Sequence, residues 1–251
     1  MARRILILVG GVTLVLAGGA AGGVAALHEP LPIGQTPALA DDLAREVQQA
    51  VNIDAWAKTG AVSWDFRGRN RHLWDRERNL VRVEWDEVVV LLDLTSQDGR
   101  ATRGGQPVDG DRARALLEDA FARWANDSFW LNPLAKLFDD GTTRTLVDID
   151  GQQGLMIRYA SGGVTPGDSY VWLLGPDRRP AAWKMWVSII PIGGVETSWE
   201  GWQTLPTGAL VATQHAFPFG GGVTLSDVQA AETLDALIRG PDPFQPLFET
   251  P

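Results

Sequence analysis

Residues 81–92 read VRVEWDEVVVLL, and this stretch sets the fold class. Val81, Val83 and Trp85 alternate with Arg82, Glu84 and Asp86, which puts one dry and one wet face on an extended chain. From Val88 to Leu92 the alternation gives way to an unbroken apolar run. Such a strand is expected to be covered on both sides and to lie near the centre of a sheet. The same period recurs in both directions from here. Trp64 and Phe66 alternate with Asp65 and Arg67, and Tyr170 to Leu174 is again apolar on both faces. Further strands are expected near Leu155 to Ala160, Trp183 to Ile189, Thr197 to Gln203 and Leu210 to Phe217. Asp98-Gly99, Asp150-Gly151 and Gly175-Pro176-Asp177 supply turns between them. Together they predict a meander of antiparallel hairpins.

Helical spacing interrupts the meander in few places. Leu39, Leu43, Val47 and Ala50 mark an amphipathic helix that ends near Val51. Ala113, Leu116, Leu117, Ala120, Phe121 and Trp124 mark a second, with Asp109 or Asp111 as cap. A short helix is expected at Pro133 to Phe138. A last one is expected near the end, where Ser226 and Gln229 form a capping-box pattern ahead of Val228, Ala231, Leu234 and Ile238, and Gly240-Pro241 stops it.

The N-terminus has the layout of a secretory signal. Arg3 and Arg4 precede the apolar run Ile5 to Leu16, and small residues follow from Ala17 to Ala26. Val24 and Ala26 suit cleavage before Leu27. The alternative is an uncleaved anchor, because Ile5 to Leu27 carries no charge and exceeds the ~20 residues that span a bilayer. Either way the chain is exported, to the periplasm or another extracytoplasmic space, and it touches a membrane only through residues 5–27. The organisation that follows is a leader over 1–26, a Pro- and Gly-rich tether over 27–38 and a single domain over 39–251. There is no cysteine. Disulfides, thiolate metal sites, a cysteine nucleophile and N-terminal lipidation are thereby excluded.

The formal net charge is −9, and losing Arg3 and Arg4 leaves 20 basic against 31 acidic residues. That sign opposes a phosphate backbone, and basic residues cluster only between Arg67 and Arg71, so nucleic acid is not an expected partner. No G-x-S-x-G elbow occurs, and His28, His72 and His215 stand in no catalytic motif. His72 and His215 fall in expected strands, where a hydrogen-bonded structural histidine is the ordinary outcome. Asp148-Ile149-Asp150-Gly151 begins like a calcium loop but lacks its later ligands, and Gly220-Gly221-Gly222 lacks the phosphate-loop Lys and Ser/Thr. The chain is therefore expected to be non-catalytic, with neither metal nor cofactor.

What stands out is tryptophan, 11 against 2 tyrosines. Wide rigid rings bury large areas in any sheet-and-helix core. They also line an apolar cavity without collapsing it when helices cover a curved sheet. Trp64, Phe66, Trp85, Phe121, Trp124, Phe129, Trp130, Trp172 and Trp186 are the candidates for such a lining.

Two stretches carry a family resemblance. They are Asn126-Asp127-Ser128-Phe129-Trp130-Leu131 followed by Pro133 and Lys136-Leu137, and Gly163-Val164-Thr165-Pro166-Gly167-Asp168 before Tyr170. With Trp183 and Trp199-Glu200-Gly201-Trp202, they resemble an uncharacterised family of exported bacterial proteins over about Ala50 to Thr224. In fold that family is similar to the lipoprotein carriers LolA and LolB. The resemblance implies an α+β, mainly β chain: a curved, half-open antiparallel β-barrel with a helical lid and an N-terminal helix. It implies binding of a lipid or acylated ligand, between the concave sheet face and the helices around Leu116 to Phe138. An envelope interaction or structural module, its aromatic residues consumed by core packing, is the alternative.

Overall fold

The computed structural model describes residues 27–161 and 166–249. The leader and the Gly163-Val164-Thr165 part of the family motif lie outside the described residues. The described chain is mainly β. Helix α1 (Pro37–Ala50) and the short α2 (Ile53–Lys58) come first, followed by strands β1 (Ala61–Phe66), β2 (Asn70–Asp75), β3 (Leu80–Trp85), β4 (Val88–Asp93), β5 (Gly99–Arg103) and β6 (Gln106–Val108). The long helix α3 (Gly110–Leu131) and a 3-10 turn at Pro133–Lys136 then lead into β7 (Thr142–Ile149), β8 (Gln152–Tyr159), β9 (Ser169–Leu174), β10 (Pro180–Trp186) and β11 (Val195–Ser198). After them come β12 (Gln203–Thr204), β13 (Leu210–Val211), β14 (Gln214–Ala216), β15 (Gly222–Ala231) and the single-turn helix α4 (Leu234–Leu237).

Two antiparallel sheets result, ordered β14-β15-β1-β2-β3-β4-β5-β6 and β11-β10-β9-β8-β7, and β12 and β13 form a small ribbon. The large sheets meet where β11 reaches β14: Glu200 bridges Gln214, and Ala216 N donates to Ser198 Oγ at 2.9 Å. Neither sheet closes on itself, and the result is the expected curved half-open fold. Helix α3 occupies the open side. Its Trp124 packs with the apolar inner faces of β1 and of β3 and β4, while Trp130 reaches both β1 and the five-stranded sheet. Helix α1 covers β7 and β8 through Ala40, Leu43, Ala44 and Val47.

The apolar runs behave differently from each other. Tyr170 to Leu174 is β9, the middle strand of its sheet, and is covered on both faces as expected. In β4 only Val88, Val90 and Leu92 are buried inside. Val89 and Leu91 are half-buried on the outer face, where a patch formed by Leu80, Leu234 and Phe244 covers Leu91, and the strand lies inside the sheet, with β5 and β6 between it and the edge.

The helix expected from Ser226 onward is instead the strand β15 as far as Ala231, and only Leu234–Leu237 turns helical. The cause is a bulge. Ser63 faces Gln229 while Asp65 faces Ser226, so β15 carries one extra residue, with Asp227 at φ 51°. The bulge turns the buried series Val223, Leu225, Val228, Ala230 out of strict alternation, and its three-residue step imitates a helical stripe. Strand β7 went unread for a related reason. Its sequence TTRTLVDI is largely polar, and it lies at the edge of its sheet, where Gln35 bridges Leu146.

The stretch expected to be a loose tether is held against the protein. Glu29 N donates to Gly193 O at 3.0 Å, Gly193 N to His28 Nδ1 at 3.0 Å, and Lys184 Nζ pairs with the Glu29 carboxylate at 2.7 Å. Gly193 makes this approach feasible, since a side chain there would run into the Trp186 ring and the Glu29 carbonyl.

Candidate functional site

The concave side of the molecule divides into two regions, both met by α3. Over the eight-stranded sheet a buried polar network accompanies the apolar packing of Ala120, Phe121 and Trp124. On a strand, Asn70 and His72 are two residues apart and share a face; on a helix, Arg123 and Asp127 are four apart and share a face. The Asp127 side chain, 2% exposed, accepts from Asn70 Nδ2 at 2.7 Å and bonds His72 Nε2 at 2.7 Å. Asn126 Nδ2 donates to the other carboxylate oxygen at 2.8 Å. Asn70 Oδ1 in turn accepts from Arg123 at 2.9 Å, and the Arg123 guanidinium lies 4.6 Å over the Trp85 ring while pairing with Asp119. His72 stacks on Trp64, its cross-strand neighbour on β1, at 4.4 Å and 16°.

Over the five-stranded sheet the contact is aromatic. Trp183 on β10 is fully buried at the centre of the group. Phe129 at 5.9 Å, Trp130 at 4.9 Å, Tyr170 at 4.7 Å, Trp172 at 4.9 Å and Trp199 at 4.9 Å surround it. Phe129 also meets Tyr159, and His215 lies 4.2 Å from Trp199 and 5.3 Å from Trp130. Burial dominates the electrostatics here. It pushes the Tyr159 and Tyr170 hydroxyls well above their ordinary pKa, and it lowers His215 to about 4 although the Ser198 and Ala212 carbonyls oppose the shift.

Several buried donors in both regions have no hydrogen-bond partner among the described residues. They include the indole Nε1 of Trp64, Trp74, Trp124, Trp172, Trp183 and Trp199, together with Tyr159 Oη. A buried polar group left unpaired costs on the order of 1–3 kcal/mol.

The nine residues singled out in the sequence are not one lining. Trp64 and Phe66 on β1 and Trp85, Phe121 and Trp124 over β3 and β4 belong to the first region. Phe129, Trp130 and Trp172 belong to the second. Trp186 departs from the expectation, because it packs with Val147, Met156, Val171 and Leu173 on the opposite face of the sheet. There its Nε1 donates to Glu29 O at 2.8 Å, which docks the N-terminal segment. It is the immediate neighbour of Met185 on a strand, and the period of two assigns it to the wrong side for a concave lining. His72 is the hydrogen-bonded strand histidine that the sequence suggests, but sequence reasoning did not join it to Asn70, Arg123 and Asp127, although their two- and four-residue spacings were available. Nor did it place Tyr159, Tyr170 and the strand residue His215 in one group, since only the approach of β8, β9 and β14 brings them together.

Two open depressions among the described residues lie elsewhere. One of about 280 Å³ is lined by Arg45, Gln48 and Asn52 at the α1–α2 junction. The other, about 400 Å³, sits between Pro32, Ile33, Leu39 and Leu146 at the β7 edge. No group of three or more His, Asp or Glu is placed to hold a metal ion among the described residues.

No family model matches the chain, and no curated protein matches it. Among solved structures, a DUF1329 family protein from Desulfovibrio piger is similar at 13% identity with a TM-score of 0.40, over 80% of this chain and 97% of that one. A likeness so distant assigns no function.

Proposed function

We propose that the protein is an exported, non-catalytic binding protein for an apolar ligand of the lipid or acyl-chain class. The ligand lies between the concave face of the five-stranded sheet and the end of α3. The observation that carries this is the aromatic group itself. On the open side of an unclosed sheet, Phe129 and Trp130 from the last turn of a helix rest on Trp183 and Tyr170 ring against ring, with Trp172 behind Trp183. Such contacts are non-directional, so the helix end moves away at modest cost and an acyl chain offers the same rings an equivalent apolar surface.

A second reading is favoured by the closeness of those rings, with centroids 4.2 to 5.9 Å apart in the group around Trp183 and His215. Side chains packed so densely also describe a filled core, and the chain is then an interaction or structural module. Organic extraction and mass spectrometry of protein purified from its native envelope separates the two, since a carrier brings lipid with it. Trp130→Ala gives the residue-level test. Weakened binding of a fluorescent fatty-acyl probe with a nearly unchanged urea midpoint supports the carrier. Unchanged affinity with a large loss of stability, or no probe binding by the intact protein, leaves the module.

A further inference from the structure

Large apolar side chains are exposed at one end of the sheets. The loop joining β10 to β11, residues 187–194, presents Ile189 at 54% exposure, with Ile190 half-buried behind it. The turn joining β14 to β15 presents Phe219 at 62%, stacked on Phe217 at 5.3 Å and 8°. Strands β11 and β14 run side by side, Glu200 facing Gln214 in antiparallel sense and Ser198 bonding Ala216. The chain leaving β14 and the chain entering β11 therefore arrive at the same end. Neither connection contains a charged residue: they read VSIIPIGG over 187–194 and FPFGG over 217–221. Monomeric proteins seldom leave paired aromatic and aliphatic side chains in water without a surface to receive them.

The course of the N-terminal segment identifies that surface. His28 and Glu29 bond Gly193, in the β10–β11 loop itself, and Leu27 beside them is 69% exposed. The uncharged sequence Ile5 to Leu27 thus joins the described protein at this same end. A leader in a bilayer brings this rim to within a few residues of the headgroups.

We propose that the rim carrying Ile189, Ile190, Phe217 and Phe219 docks on a lipid bilayer, inserting its apolar side chains at the interface. The net charge of −9 and the uncharged loops mean that apolar insertion drives the contact, so zwitterionic lipid suffices and anionic lipid adds nothing. This holds whether or not the aromatic group on the concave face takes a ligand. It goes beyond attachment through the leader alone, because it gives the folded protein its own membrane-facing end.

The absence of cysteine makes the test direct. Ile189→Cys, Phe219→Cys and, as control, Gln152→Cys at the β7–β8 turn on the opposite end are each labelled with an environment-sensitive dye. The full chain is reconstituted into phosphatidylcholine vesicles. The expected result is a blue shift at 189 and 219 that lipid-borne nitroxide quenches, none at 152, and no change on adding anionic lipid or salt. Rim dyes that stay in water like the control, or that respond only to anionic lipid, overturn the proposal. So does a blue shift that lipid-borne nitroxide leaves unquenched, since the leader or a second copy of the chain then covers the rim. As a second measurement, Phe219→Ser replaces an exposed residue and leaves the fold intact by circular dichroism. It lowers vesicle partitioning of the leaderless secreted product by about tenfold, while Gln152→Ser leaves it unchanged.

Discussion

Along α3, one helix is held to two sheets by two kinds of contact. In the C-terminal half of the helix, Arg123 and Asp127 engage Asn70, His72 and Trp85 through short directional contacts. Two and three residues beyond Asp127, Phe129 and Trp130 engage Trp183 and Tyr170 through ring faces and edges. A hydrogen-bonded carboxylate has one acceptable position, and displacing it strands every partner it satisfied. Aromatic rings exchange neighbours at little cost provided that volume and apolar area are kept. The first set of contacts therefore fixes where the helix lies, and the second fills the space beside it by volume and apolar area.

The sharpest way to break this comparison is at Trp183. If the aromatic region is held by volume and area, Trp183→Ala costs about 3–5 kcal/mol in urea unfolding and Trp183→Phe much less. Equal losses for the two mean that the region is directional after all. At Asp127 the expectation reverses. Asp127→Ala strands two buried side chains and lowers stability by about 3–4 kcal/mol, whereas Asp127→Asn, which keeps an oxygen in place, recovers part of the loss. An acyl probe should bind the Asp127→Asn variant as it binds the parent, and loss of binding there would join the two regions into one site.

A smaller effect, legible in pH, sharpens the aromatic side. His215 is neutral in the folded protein, its pKa lowered to about 4 by burial against an ordinary 6.5. Above pH 6.5 neither state holds the proton and the residue has no effect on stability. As pH falls from 6.5 to 4 the unfolded chain takes up the proton and the folded one does not, so stability declines by about 3 kcal/mol, then levels off. His215→Phe is expected to flatten this part of the stability profile, measured by urea midpoints between pH 7 and 4. An unchanged slope places the titration elsewhere.

The fold class was legible because the period of two survives in β1 and β3, an unbroken apolar run marks β9, and the period of 3.6 survives in α1 and α3. These are local properties, decided by which side of the backbone each side chain leaves. The sequence failed where the pattern depended on a partner. Ser226 to Ile238 looked helical because a bulge against β1 shifts the register of β15. Strand β7 looked irregular because it is a polar edge strand. Residues 27–38 looked loose because nothing local reports that Gly193 and Trp186 receive them.

The site shows the same division. That aromatic residues are abundant, that Trp64, Trp85, Trp172 and Trp183 sit in strands, and that Phe129 and Trp130 end a helix is written in the sequence itself. Which of them touch was decided in three dimensions. Residues as far apart as Asp127 and His72, 55 positions, or Lys184 and Glu29, 155 positions, meet only after the sheets have curved and α3 has crossed them. Periodicity fixes the face of an element on which a residue lies. The face of another element that it meets depends on closing long loops, and no local pattern encodes that.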